Sequence, residues 1–203
     1  MKTNRNSTQG RTGASKGFSI LELVISMSVM LVLAAVAAPN VNRTLHIYQL
    51  NSQAMQVANQ LKSSRFQAIS RNLTTNCMVQ VTATGYSLWT DMVGDGVYRN
   101  TDTTTLTSPG ITLVAAGAVA TAGSLPGAIG VTGVNTLSGA TNTVTIPFDA
   151  RGAVTGGALN AVNVFYVADI NRPQDGYRAI VLLPSGSIQV WQGAQNSAWN
   201  RSN

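Results

Sequence analysis

Between Phe18 and Ala38 the chain has 21 residues, of which Glu22 alone is charged. A helix of that length is about 31 Å long, the thickness of a bilayer's hydrocarbon core. An acid at the centre of such a helix costs about 2.5–3.5 kcal/mol, and less near its end. Hydrophobic anchoring alone gives no reason for Glu22. Two readings follow from the residues: an acid tolerated near the interface, or one that meets a positive partner when chains pack together. The second has a physical basis, because a charge in a low-dielectric setting needs a partner.

The flanks sharpen the choice. Lys2, Arg5, Arg11 and Lys16 precede the run with no acid among them, and Gly17 closes this leader. By the positive-inside rule the leader is cytoplasmic and the bulk of the chain lies outside the inner membrane. A cleaved secretory signal fits less well. The apolar run exceeds the usual length, Glu22 interrupts it, and Pro39 crowds any cut after Ala38. A plain single-pass anchor explains the length but not the order of glycine, phenylalanine and glutamate.

Gly17-Phe18-Ser19-Ile20-Leu21-Glu22-Leu23, opening an apolar run that ends at Pro39, resembles the processing site of type IV pilins and type II secretion pseudopilins. The resemblance implies a prepilin peptidase cutting between Gly17 and Phe18 and methylation of the new amine. It implies that Glu22 pairs with the amine of a neighbouring subunit during assembly, and that Pro39 marks a helix kink. It also implies other pilin or pseudopilin subunits, an inner-membrane assembly platform and, before assembly, membrane lipid as partners. The expected location is the inner membrane, single-pass with the head periplasmic, and then a pilus or pseudopilus.

The formal charge of +6 belongs mostly to the N-terminal part. Four of the 13 basic residues lie in the leader, and Arg43, Lys62, Arg65 and Arg71 follow with no acid between Pro39 and Arg71. From residue 72 onward five arginines stand against six aspartates, so the head shows no net basic surface for nucleic acid. With Cys77 as the single cysteine, no intrachain disulfide exists, and a buried apolar role is expected for it.

The predicted organisation is α+β. A cleaved leader covers 1–17, the transmembrane half of a long helix 18–38, its amphipathic half 39–72, and a β-rich head 73–203 that frays from about residue 193. Beyond Pro39, residues Val41, Leu45, Tyr48, Met55, Ala58, Leu61, Ala68 and Ile69 follow helical spacing and predict the face that packs on an antiparallel sheet. Gln49, Asn51, Gln53, Gln56, Asn59 and Gln60 read as a polar face, solvated or in contact with sister helices. A hairpin is predicted around Thr84-Gly85, and strands at 111–114, 143–146, 162–167, 177–183 and 187–191. Residues 103–148 carry no charge and read as short strands joined by glycine turns. Phe148-Asp149-Ala150-Arg151-Gly152, followed by the strand pair around Pro184-Ser185-Gly186, looks like the head of the GspH/FimT group of minor pseudopilins and pilins.

Catalytic material is scarce. His46 is the lone histidine and lies on the helix, and no phosphate-binding loop or dinucleotide fingerprint is present. No enzyme activity is expected. Asp91, Asp95 and Asp102, in a turn-rich loop with Gly94 and Gly96, are candidate calcium ligands, although their spacing is not that of an EF-hand and Asp-Gly is first a turn signal. No other cofactor is implied. Some members of the FimT branch bind DNA through a basic C-terminal motif, which makes a DNA-binding minor pilin for natural transformation the alternative reading. The matching stretch here, Gly186 to Trp191, has no basic residue, which leaves Arg151, Arg172 and Arg178 as the candidate DNA contacts and DNA an unlikely partner.

Overall fold

The structure, a computed structural model, describes residues 17–82, 85–99, 104–106, 110–136, 143–156 and 161–202. The chain divides into two units, Met1–Asn42 and Arg43–Asn203. Helix α1 (Ile20–Arg71) contributes to both. In the first unit every described side chain of the apolar run is exposed, with Ile20 at 84% and Leu31 at 71%. Ser26 and Ser28 donate their hydroxyls to the carbonyls of Glu22 and Val24, at 2.7 and 2.8 Å. Their polarity is thus spent inside the helix. The helix continues through Pro39, which brings no amide hydrogen to it.

In the second unit α1 ends in a tight C-terminal turn. Asn72 adopts φ 53°, its amide bonds the Ile69 carbonyl, and the Leu73 amide reaches back to Ala68. This paired bonding satisfies the last helical carbonyls, with asparagine in the left-handed position glycine usually fills. The strands follow. Sheet one contains β1 (Thr75–Thr82), β2 (Gly85–Asp91), β3 (Thr104–Leu106) and β6 (Thr143–Phe148), in the order β3-β2-β1-β6. Sheet two contains β4 (Ile111–Val114), β7 (Val162–Asp169), β8 (Tyr177–Leu182), β9 (Ile188–Gly193) and β10 (Trp199–Arg201), in the order β10-β9-β8-β7-β4. These pairings are antiparallel, while the short β5 (Val134–Thr136) runs parallel to β7.

One core joins α1 to both sheets: Leu50, Ala54, Val57, Leu61 and Ala68 meet Val79, Leu88, Ile146, Phe148, Phe165, Ile180 and Leu182. Strand alternation sends the other side chains of sheet two outward, where Val164, Tyr166, Ala179, Val181 and Trp199 form a second core. That core is covered by residues of the uncharged segment, among them Val119, Leu125, Ile129 and Val134. Sheet two is therefore apolar on both faces, and every residue of β8 is buried.

Three expectations change. The face of α1 that packs on the sheets is not the apolar stripe read from the sequence. Ala58, Leu61 and Ala68 are buried, but Leu45, Tyr48, Met55 and Ile69 are exposed. Gln53, Gln60 and Ser64 are buried instead, because they hydrogen-bond to the sheet. The uncharged stretch forms more than strands. It includes helix α2 (Leu125–Ile129), whose first turn is capped by Ser124, whose Oγ accepts from the Gly127 amide at 3.3 Å. The tail is not frayed from 193 onward: β10 pairs with β9, and Trp199 is 6% exposed with its indole N–H donating to Thr121 at 3.1 Å.

Candidate functional site

Helix α1 begins where the sequence changes from polar to apolar. Gly17, Phe18 and Ser19 precede it in irregular backbone. Ser19 caps the first turn, its Oγ accepting from the Leu21 amide at 3.3 Å and its carbonyl from the Leu23 amide at 3.1 Å. Glu22 stands three residues after this cap, in the first turn, where a carboxylate favours the positive end of the helix. Phe18 is 80% exposed, and nothing lies within 4 Å of a side chain built on Gly17. Packing among the described residues therefore gives no reason for a glycine at 17. Glu22 is exposed and its carboxylate makes no hydrogen bond or ion pair among the described residues. Leader residues 1–16 lie outside the described residues. The helix is long and apolar enough to cross a membrane, and none of its apolar window is buried.

The aspartate loop is built for its own backbone. Asp91 is 2% exposed, and its carboxylate accepts the amides of Val93, Gly94 and Gly96 at 3.1, 2.7 and 2.7 Å. Asp95 accepts the Val97 amide at 3.0 Å and pairs with Arg99, which holds its carboxyl below the usual range. Asp102 lies outside the described residues. No group of three histidine, cysteine, aspartate or glutamate side chains is found among the described residues.

The three candidate DNA arginines have different fates. Arg151 is exposed on the Asp149–Ala153 turn, and Arg172 is half-buried in the turn before Pro173. Arg178 is 7% exposed and turned toward α1. Its Nε donates to Asn51 Oδ1 at 2.6 Å and its Nη1 to the Tyr177 carbonyl at 2.9 Å. Burial lowers its affinity for the proton, and the charge of Asp175 partly restores it. Of the three candidates, Arg178 is thus the buried one, and the three do not form one exposed set.

Other groups now have roles that the sequence hid. Tyr86 donates to Gln53 at 2.9 Å, Gln60 to Thr90 at 3.1 Å, and Ser64 and Thr90 share a bond of 2.6 Å. Cys77 is buried and interacts with Ser64, and burial pushes its thiol up to about 12. Arg65 donates to the Gly152 carbonyl at 2.9 Å, which ties α1 to the turn that follows β6. Gly186 is pressed onto the same carbonyl; a Cβ there would stand 1.9 Å from it. Thus the Asp149-to-Gly152 segment and the Pro184-to-Gly186 turn, apart in sequence, are one docking point for the helix. Arg43 and Asp175 approach to 3.6 Å across 132 positions of sequence, a separation no local pattern reveals.

The fold thus defined is α+β, a long N-terminal helix followed by a β-sheet head. Comparison with solved structures finds the type IV minor pilin FimU of Pseudomonas aeruginosa (strain PAO1) in two crystal forms. One is 16% identical and covers 70% of this chain and 88% of its own, with a TM-score of 0.46. The other is 16% identical and covers 69% and 90%, with a TM-score of 0.44. These values describe a loose likeness of fold. No known protein family matches the sequence, and no curated protein matches it.

Proposed function

We propose that this chain is a type IV pilin-like subunit, a structural component of a pilus or secretion pseudopilus, in the minor class. The observation that carries the reading is the sequence Gly17-Phe18-Ser19-Ile20-Leu21-Glu22 at the start of an exposed, membrane-length apolar helix. Gly17 has no packing role among the described residues, which is consistent with recognition by another protein, here a prepilin peptidase. Cleavage after Gly17 makes Phe18 the first residue, with an amine that is methylated. Glu22 then offers a carboxylate to the amine of a neighbouring subunit. Exchange of lipid for neighbouring helices loses little apolar burial, so extraction from the bilayer is feasible. The head supplies lateral contacts, and its role is architectural rather than catalytic.

Intact mass and N-terminal sequencing of the protein from native membranes and sheared filaments test this. The expected chain begins at N-methylated Phe18 and is found in the filament fraction. A chain that still begins at Met1, or one cut after Ala38, removes the reading.

A further inference from the structure

The cleft between the start of the second unit and the β9–β10 hairpin has features of a ligand site. It measures about 380 Å³, and its polar lining includes Arg43, Gln174, Asp175, Arg178, Gln192 and Asn200. Arg178 and Asp175 are its buried members, at 7% and 9% exposure, and Arg43, with a side chain 64% exposed, lines it and pairs with Asp175. The hydrogen bonds of Arg178 use Nε and Nη1 only, so Nη2 has no partner among the described residues. Arg43 Nε stands 3.6 Å from Asp175, whose charge also acts on Arg178, so two guanidinium groups face one carboxylate and a single positive charge remains uncompensated. The amides of Gln174, Gln192 and Asn200 are exposed around this pair of charges.

Arg43 follows Ala38, the last residue of the apolar run, by five positions of the same helix. Five residues of helix rise about 7.5 Å. The headgroup layer beyond the hydrocarbon core is about 5–8 Å deep on each side. In a membrane-anchored chain Arg43 therefore meets phosphate, and arginine is the side chain best shaped for it.

We propose that this cleft binds a phospholipid headgroup before assembly, with the phosphodiester between Arg43 and Arg178 and a headgroup donor, a hydroxyl or an ammonium, on Asp175. The inference rests on the anchored, pilin-like reading given above. Asp175 makes the site selective: glycerol and ethanolamine headgroups carry such a donor, whereas choline does not.

The test uses the full chain in detergent micelles, with native mass spectrometry after titration of dioleoyl phosphatidylglycerol, phosphatidylethanolamine or phosphatidylcholine. The expected result is at least tenfold tighter retention of the first two lipids. Arg43→Gln, at a side chain that is 64% exposed, lowers them to the level of phosphatidylcholine without shifting the melting temperature of the lipid-free chain. Asp175→Asn removes the preference among the three lipids. Equal retention of all three lipids by the native chain, or wild-type retention by Arg43→Gln, overturns the proposal. Inorganic phosphate that raises the melting temperature as much as phosphatidylglycerol assigns the cleft to free phosphate and overturns the lipid source. The same spectra report the N-terminus. A chain starting at Phe18 without lipid selectivity sinks only this proposal, while a selective chain starting at Met1 in native membranes sinks only the processing reading.

Discussion

Glu22 and Gly186 stand in contrast, one facing away from the chain and the other held inside it. Glu22 touches nothing that the described chain needs for folding, beyond a favourable place at the positive end of α1. Its value, on the proposed reading, is realised only against a second subunit. Glu22→Ala is therefore expected to leave membrane insertion and cleavage intact but to cut incorporation into filaments at least tenfold. Breaking a buried charge pair costs about 3–5 kcal/mol, more than such a loss requires. Immunoblots of sheared filaments against membranes measure it, and equal incorporation would count against the pairing. Gly186 is needed inside the chain. It has φ 77°, and any Cβ would collide with the Gly152 carbonyl that Arg65 also binds. Gly186→Ala should destabilise the head by about 2–4 kcal/mol, read as a fall in the urea midpoint of the full chain.

At the scale of elements, legibility in the sequence tracked the physics. The strands at 111–114, 143–146 and 177–183 were visible because β-branched runs between turns bury both faces or alternate cleanly. The helix from Ile20 was visible because the apolar run sets its first part and helical spacing beyond Pro39 carries it on to Arg71. The buried face of α1 was misread because its contacts are polar. Gln53, Gln60 and Ser64 are as buried as the aliphatic residues beside them, and their partners Tyr86 and Thr90 lie 26 to 33 positions away. Hydropathy spacing assigns such residues to solvent, and it assigns Tyr48 and Met55 to the core, where they are not. The Arg43, Asp175 and Arg178 cleft was hidden for a related reason, since only the fold brings those residues together. The seam also makes a prediction about pH. The Cys77 thiol is held up at about 12 by burial, against 9.0 when unburied, and burial shifts Tyr86 upward too. These groups stay protonated in the folded chain while the unfolded chain ionises. Stability is full below pH 9 and falls as pH rises from 9 toward 12. The urea midpoint should decline across that window, and Cys77→Ala should flatten part of the decline.

At the scale of the molecule, the head is held from both sides of sheet two. One core faces α1, and the other is closed by the uncharged segment and the C-terminal strand. Trp199 belongs to the second closure, tilted against Tyr166 with ring centroids 5.8 Å apart. Trp199→Ala should cost about 3–5 kcal/mol and expose residues 115–134 and 194–202 to protease before the rest of the head is cut. Simultaneous cleavage throughout would show that the two cores melt as one. The helix is held differently. Asn51, Gln53, Gln60, Ser64 and Arg65 each reach the head through a side-chain hydrogen bond, over about 21 Å of α1. A tug along the helix axis therefore strains all of these bonds at once, in parallel, instead of opening them singly from one end. Within the second unit, the head resists being peeled off the stretch of helix from Asn51 to Arg65 and moves with it, as a tenon does in its mortise.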